Sequence, residues 1–150
     1  MKSFAITPAS EADIPELIDL LGVLFSIEQD FTPDIDKQRR GLAALLASAT
    51  GHIAIARDET LRAVGMATAQ LVISTAEGAP SAWVEDVVVR EDWRGHGLGR
   101  ALLDAVLDWA RSQGAVRAQL LADLDNAPAL AFYERLGWQT TRLGARRLML

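Results

Sequence analysis

Apolar residues recur every three or four positions in two segments of the first third of the chain, which is typical of amphipathic helices. The first segment follows Ser10, a helix N-cap candidate, and the second spans Asp34–Ser48. A short strand, Phe4–Thr7, is predicted ahead of both. The apolar positions of the first helix are Ile14, Leu17, Ile18, Leu21 and Phe25.

The pattern then changes to β-rich runs. His52–Thr75 contains two such runs around "RDET", which predicts a hairpin, and Trp83–Arg90 is a third after the break "GAPSA". A helix is predicted over Leu98–Gly114, with Gly114 as its stop. The remaining predictions are a strand over Ala115–Asp123, a helix over Asn126–Gly137, and a final pair of strands in "WQTTRL" and "RRLML".

This order predicts an α/β fold with a mixed sheet. Three consecutive strands joined by short turns should be antiparallel, and the strand–helix–strand crossover from Trp83 to Asp123 should be parallel and right-handed. Helices should cover both faces of the sheet. No linker, repeat or low-complexity tract interrupts the chain, so a single domain over residues 1–150 is expected.

Composition narrows the function classes. The formal net charge is −5, which argues against a general nucleic-acid binder and weakly favours a cationic substrate. The chain has no cysteine and only two histidines, so thiolate chemistry is excluded and no metal site is expected. No apolar run approaches the roughly 20 residues of a membrane span, and a cytoplasmic protein is the default expectation.

The stretch "RGHGLG", Arg94–Gly99, lies between a β-branched run and a helix start. Glycines allow close approach and positive φ, and the free amides of a helix start attract anions. Arg94 and Arg100 flank the turn and add positive charge. A ligand that bears phosphate is therefore expected.

Two common phosphate motifs do not fit this stretch. A P-loop needs G-x-x-x-x-G-K-[ST], and no lysine is near. The dinucleotide pattern G-x-G-x-x-G fails from Gly95, where Arg100 takes the last position, and from Gly97, where Leu102 does.

The same stretch resembles the R/Q-x-x-G-x-G/A motif of the GNAT superfamily of acetyl-CoA-dependent N-acetyltransferases. The matching residues are Arg94, Gly97 and Gly99. Farther along, "NAPALAFYERLGW" is similar to the family segment N-x-x-A-x-x-[FL]-Y-x-x-x-G-[FW], through Asn126, Ala129, Phe132, Tyr133, Gly137 and Trp138. The resemblance in element order covers nearly the whole chain, and its specific part runs from about residue 84 to 138.

This resemblance implies the GNAT acyl-CoA N-acyltransferase fold, with a mixed sheet of about six or seven strands that splays between its fourth and fifth strands. It implies that backbone groups of the fourth strand bind the pantetheine arm of acetyl-CoA like an added strand, that the loop amides hold the pyrophosphate, and that Asn126 contacts the coenzyme arm. The implied coenzyme-binding residues are Val87, Val88, Val89, Arg94, Gly95, His96, Gly97, Leu98, Gly99, Arg100 and Asn126.

The resemblance also implies the catalytic groups. Tyr133, the only tyrosine, would give a proton to the departing coenzyme A sulfur. Glu85 would act as the base for the amine or hold a water that does so, and strand alternation places Asp86 on the opposite face. His96 would contribute through its backbone rather than as an acid or base.

The acceptor is expected to be a small cationic amine. The connection between the first two helices forms one wall of the acceptor pocket in the family, so Glu28 and Asp30 could hold the cation, and Trp83 could line the site. A solvated loop is the alternative interpretation of Glu28 and Asp30. A homodimer is expected because it is common in the family.

Three alternatives remain open. One is acetylation of a protein amine. Another is an acyl-CoA-binding or sensing module without catalysis, which would not need Tyr133. The third is an unrelated nucleotide-binding α/β domain, which the failed phosphate motifs disfavour.

Overall fold

The computed structural model describes residues 2–28 and 32–150. The chain divides into two compact units, Met1–Gln119 and Leu120–Leu150. Within the described residues, none of the helices has the length and apolar character that crossing a membrane would need.

The secondary structure follows the predicted order up to the last helix. The strands are β1 (Ala5–Pro8), β2 (Gly51–Arg57), β3 (Ala63–Ser74), β4 (Ala79–Val89) and β5 (Arg117–Leu120). The helices are α1 (Ile14–Ile27), α2 (Ile35–Ala47), α3 (Leu98–Ser112) and α4 (Ala127–Arg135). The stretch "GAPSA", interpreted as a break, is mostly the first part of β4, which is therefore longer than predicted.

The five strands form one sheet in the order β1-β2-β3-β4-β5. β2, β3 and β4, which short turns join, pair antiparallel as predicted, and β1 pairs antiparallel with β2 after the two helices. β5 runs parallel to β4 after the α3 crossover. The mixed α/β fold is confirmed, but the sheet has five strands rather than the six or seven expected.

Alternation along β2 separates the two faces of this sheet. Ile53 and Ile55 are buried in a cluster with α1 and α2. His52, one position out of phase, stacks on Trp109 of α3, with 4.9 Å between the ring centroids. Since successive side chains of a strand point to opposite faces, α1 and α2 cover one face and α3 covers the other.

The apolar stripe of α3 forms the core of that second face. Leu98, Leu102, Leu103, Val106 and Ala110 are buried. Burying such a side chain contributes about 1.5–3 kcal/mol, so the stripe holds α3 firmly against β2, β3 and β4. The helix ends at Ser112, and Gly114 acts as the predicted stop just after it, with a φ of +89° that is easily adopted only by glycine.

The second unit contains α4 and the segment that follows it. The Oδ1 of Asn126 accepts a hydrogen bond from the amide of Ala129 at 3.2 Å and caps the helix, which ends before Gly137. The prediction of a final pair of strands is wrong, because residues 138–150 contain no strand and those from 139 onward are exposed. A strand needs a neighbouring backbone to pair with, and residues 138–150 have none among the described residues.

Candidate active site

β4 carries a β-bulge in its second half. Thr68 of β3 pairs with Glu85, but Met66 pairs with Val88, so Asp86 and Val87 together face the single residue Ala67. Asp86 has a φ of +53°, which is uncommon for a residue other than glycine. Bulges and left-handed residues of this kind concentrate beside active sites, where they redirect a side chain.

The bulge turns the Asp86 carboxylate toward Thr68. The Thr68 hydroxyl lies 3.0 Å from Asp86 Oδ2 and 3.1 Å from the Glu85 carbonyl oxygen. Burial raises the pKa of Asp86 to about 6, with a further contribution from the negative charge of Glu85, while the Thr68 hydrogen bond acts in the opposite direction. A carboxylate with this pKa exchanges a proton readily near neutral pH.

Glu85 has a different environment. Its side chain is exposed, and its Oε1 accepts a hydrogen bond of 2.7 Å from Trp83 Nε1. Glu85 pairs with Thr68, and Asp86 is bonded to the Thr68 hydroxyl, so both carboxylates lie on the Thr68 side of the sheet. The expectation that Asp86 faces the opposite way is therefore wrong, because the bulge interrupts the alternation.

A cavity of about 600 Å³ opens between α1, α2 and the β3–β4 pair. Asp86 lines it from the bulge and Gln70 from β3. Asp34, Lys37 and Gln38 line it from the start of α2. The volume lies in the range of sites for small organic ligands, and the lining combines apolar with polar and charged residues.

The α2 side of this cavity was not predicted from the sequence. Asp34 was expected only as the start of the second helix, and Lys37 and Gln38 were not singled out within it. Gln38 is in fact 9% exposed, one turn before the buried Leu42. Its position four residues before Leu42 and seven before Leu45 was the available signal, since residues at those spacings share a helix face.

The glycine loop precedes α3 as predicted. Gly95 and Gly97 have φ values of +77° and +85°, and Gly97 is the N-cap of the helix. The helical hydrogen bonds begin with the Ala101 amide, which donates to the Gly97 carbonyl at 3.1 Å. The four preceding amides, from Gly97 to Arg100, belong to the helix start, where backbone donors have no intrahelical acceptor. This donor set fits a pyrophosphate.

The His96 side chain of the loop is held by contacts with Trp93 and Lys2. His96 packs edge-on against Trp93, and its Nδ1 accepts a hydrogen bond from the Lys2 amide at 3.3 Å. Lys2 Nζ donates to the Asp92 carbonyl at 2.6 Å and lies 4.7 Å from the centre of the Trp93 ring. His96 thus has a packing role beside the loop.

Arginines surround a second cavity, of about 440 Å³, at the end of β4. Arg62, Arg90 and Arg94 line it, and the acidic Glu91 and Asp92 offset part of their charge. Arg94 Nε donates to the Val89 carbonyl at 3.2 Å, which ties this side chain to the strand end. Arg100 extends along α3 toward Asp104, with 3.9 Å between the charged atoms. Arg62 and Arg90 were not predicted for the site.

The strand residues expected to bind the coenzyme follow the bulge. Val88 pairs with Met66 and is buried, Val89 pairs with Gly65, and Val87 belongs to the bulge itself. Val88 and Val89 are thus fixed from the β3 side, and β5 is the neighbour of β4 on the other side. The splay between β4 and β5 remains a prediction.

Tyr133 and Asn126 belong to the second unit. Tyr133 contacts Phe132, with 5.3 Å between ring centroids, and Trp138, with 6.0 Å. These contacts make an aromatic cluster on α4 and just after it. Asn126 caps the same helix, so the matched segment "NAPALAFYERLGW" forms a helix with its start, its aromatic face and its glycine stop in place.

Two acidic residues between the first two helices, Glu28 and Asp30, were expected to bind the cationic acceptor. Glu28 is the residue at which α1 ends, and its amide donates to the Leu24 carbonyl at 3.1 Å. Asp30 lies outside the described residues. Among residues 2–28 and 32–150, no three side chains of histidine, cysteine, aspartate or glutamate are grouped to hold a metal ion.

The comparisons with known proteins agree with this geometry. Residues 15–138 match the sequence model of the acetyltransferase (GNAT) family. The aminoglycoside N(6′)-acetyltransferase type 1 of Stenotrophomonas maltophilia is 30% identical over 112 residues, which are 73% of this chain and 73% of that protein.

Two further relatives extend the comparison. The mycothiol acetyltransferase of Saccharomonospora viridis is 43% identical over 63 residues, which are 42% of this chain but only 21% of that enzyme. The solved structure of an acetyltransferase from Trypanosoma brucei superposes with a TM-score of 0.77 at 26% identity, covering 98% of this chain and 100% of that one. The chain therefore belongs to the acetyltransferase (GNAT) family and is an N-acetyltransferase.

Proposed function

We propose that this enzyme transfers the acetyl group of acetyl-CoA directly to the primary amine of a small cationic molecule. The observation that carries the proposal is the Asp86 carboxylate, which the bulge presents to a cavity of ligand size with a pKa of about 6. Direct transfer suits a chain without cysteine, because no covalent thioester on the protein is needed.

The donor site is proposed at the start of α3. The family uses acetyl-CoA as its co-substrate. The amides from Gly97 to Arg100 offer hydrogen bonds to a pyrophosphate, and Arg94 adds positive charge beside them. The backbone of Val87 and Val89 is proposed to receive the pantetheine arm, and Asn126 to contact it, as the family resemblance implies.

The chemistry needs one base and one acid. Asp86 accepts the proton that the amine loses as its nitrogen forms a bond to the acetyl carbon. Tyr133 donates a proton to the sulfur as the carbon–sulfur bond breaks, which is the role carried over from the family. Glu85, the base expected from the sequence, is the competing candidate, and its charge helps to keep the Asp86 pKa high.

The lining of the acceptor cavity supports a cationic amine. Asp34 and Asp86 contribute carboxylates, against the single ammonium of Lys37. The aminoglycoside enzyme of Stenotrophomonas maltophilia acts on cationic amines by its name, and it covers the larger part of this chain. A protein amine is the second acceptor class, and Glu28 and Trp83 are proposed to take part in acceptor binding in either case.

The decisive experiment measures thiol release from acetyl-CoA over a panel of aminoglycosides, polyamines, amino acids and lysine peptides. We expect release with one or more of the small cationic amines and little with peptides. Tyr133→Phe should lower kcat about 10- to 100-fold for the same amines, since the acid is lost while the ring remains. Tight acetyl-CoA binding without release across the panel would favour the sensing module instead.

Two properties of the whole chain complete the proposal. The family match continues from residue 15 to residue 138, which supports one acetyltransferase domain over the chain. A homodimer is proposed because the last residues of the chain expose large apolar side chains: Leu143, Leu148, Met149 and Leu150.

A further inference from the structure

Gln38 presents a buried polar group that the fold leaves without a partner. Its side chain is 9% exposed, and among the described residues no atom accepts a hydrogen bond from its Nε2. An unsatisfied buried donor is costly, and such groups are rare in native proteins. In residues 2–28 and 32–150, Gln38 Nε2 is the only buried side-chain nitrogen or oxygen in this state.

The position of Gln38 suggests why this cost is retained. The residue lines the same cavity as Asp86, and it does so from α2, whereas Asp86 lies on the sheet. The α2 backbone is fixed there by an N-cap, in which Asp34 Oδ1 accepts from the Lys37 amide at 3.1 Å, and by the buried Leu42. The amide group is therefore held on a rigid element, as specificity groups in small-molecule sites are.

From these observations we infer that Gln38 is a specificity-determining residue, whose carboxamide turns its buried Nε2 into the cavity when the acceptor binds and donates a hydrogen bond to a hydroxyl or ether oxygen of it. The inference rests on the proposed function and narrows its substrate class. The acceptor is an oxygen-bearing amine such as an amino sugar, in which Asp86 takes the amine and Gln38 takes an oxygen. Plain alkyl amines and polyamines leave Gln38 unpaired and are poor acceptors.

The charged groups of the cavity are consistent with an amine bound at Asp86 and an oxygen bound at Gln38. Asp34 and Asp86 favour the ammonium end of the ligand, and Lys37 offers a second donor to an oxygen. The Gln38 amide is neutral, so it does not add to the attraction of the cavity for a cation. It favours ligands that have an oxygen at this position. Sites built to hydrogen-bond a substrate oxygen reject analogues that lack it far more strongly than apolar pockets reject an extra group.

The test compares two amines with the wild type and Gln38→Met, a variant of similar volume. The amines are 6-amino-6-deoxy-D-glucose and aminomethylcyclohexane. Both have a six-membered ring with a CH₂–NH₂ group, but only the sugar has an oxygen in the ring and hydroxyls on it. We expect the wild type to prefer the sugar by at least about ten-fold in kcat/KM, and Gln38→Met to lose about that factor with the sugar only.

A second measurement is independent of activity. If the donor is unsatisfied in the free protein, Gln38→Met should raise the melting temperature by about 2–6 °C, because the buried polar group is removed without opening a cavity. Gln113→Met, which makes the same change at the exposed end of α3, is the matched control and should alter neither the melting temperature nor the amine preference.

The outcomes separate this inference from the proposed function. Equal acetylation of both amines by the wild type, an unchanged preference in Gln38→Met, or a lowered melting temperature of that variant overturns the role of Gln38 and leaves the acetyltransferase proposal in place. A wild type that acetylates neither amine, nor any amine of the panel, overturns the proposed function together with it.

Discussion

Asp86 combines at one residue the three properties expected of a general base. It faces a cavity, its pKa is raised to about 6, and it has a hydroxyl partner, Thr68, that orients one oxygen. Its left-handed backbone stores conformational strain that the rest of the sheet must offset. Glu85 beside it has the same charge but is exposed and held by Trp83. The environment therefore distinguishes the two neighbouring carboxylates.

The Asp86→Asn variant should remove the acidic limb of the rate profile. In the wild type, kcat/KM should rise with pH through about 6 as Asp86 loses its proton. In Asp86→Asn that limb should disappear and kcat should fall by about 10²- to 10⁴-fold. Glu85→Gln is the matched isosteric control. Its loss should be smaller and its limb should remain, at a lower pH because the Glu85 charge no longer raises the Asp86 pKa. If the limb vanishes in Glu85→Gln and persists in Asp86→Asn, Glu85 is the base.

The same variant should be more stable than the wild type above pH 6. The native state raises the pKa of Asp86 from 3.8 to about 6, so the native state holds this proton more tightly than the unfolded chain does. The wild type thus loses stability as pH rises from about 4 to about 6, and the loss persists above that. Asp86→Asn should gain about 3 kcal/mol in denaturant unfolding at about pH 8 and little at about pH 4. An equal gain at both pH values would contradict a charge penalty.

At the scale of elements, the local patterns predicted most of the structure correctly. The hairpin around "RDET", the apolar stripe of α3 and the glycine stops are all present, because each depends on residues close together in the sequence. The bulge in β4 was not predicted, since it depends on how β3 pairs with β4. Gln38 was missed for a similar reason: its burial depends on what covers α2, and a polar residue on a helix is usually exposed.

The loop before α3 allows a matched test of its backbone. Gly97 begins α3 and Gly114 follows its end, with φ values of +85° and +89°. Alanine at either position should cost roughly 1–2 kcal/mol of stability, because an L-residue is strained there. Only Gly97→Ala should weaken coenzyme A binding, by about ten-fold or more in calorimetry, because only that position carries the proposed pyrophosphate donors. Equal coenzyme A affinities in the two variants would argue against this donor site.

At the scale of the whole molecule, the sequence predicted the family and the mixed sheet but overestimated the strand count. "WQTTRL" and "RRLML" have strand-like composition, yet residues 139–150 are exposed and form no strand. Composition alone does not supply a pairing partner. The proposed dimer follows from the same segment, whose apolar side chains are exposed.

Light scattering should show a particle of twice the chain mass. Leu148→Asp combined with Met149→Asp should shift the mass toward that of one chain, because buried charges without partners disfavour association. The double change of Lys37 and Arg39 to Ala on exposed positions of α2 controls for a general effect of surface mutation. A wild type with the mass of a single chain would overturn the dimer.

The bulge in β4 also limits how this strand can change over evolutionary time. Removing one residue between Val84 and Val88 would leave a single residue opposite Ala67, so the Asp86 carboxylate would lose its direction and the bulge at Val87 would disappear, while Val88 and Val89 would keep their partners on β3. A substitution in β4 can have a small or a large effect, whereas a change in the length of this strand affects both the proposed base and the residues proposed to bind the coenzyme. We therefore expect the number of residues in this stretch to be inherited more strictly than their identities.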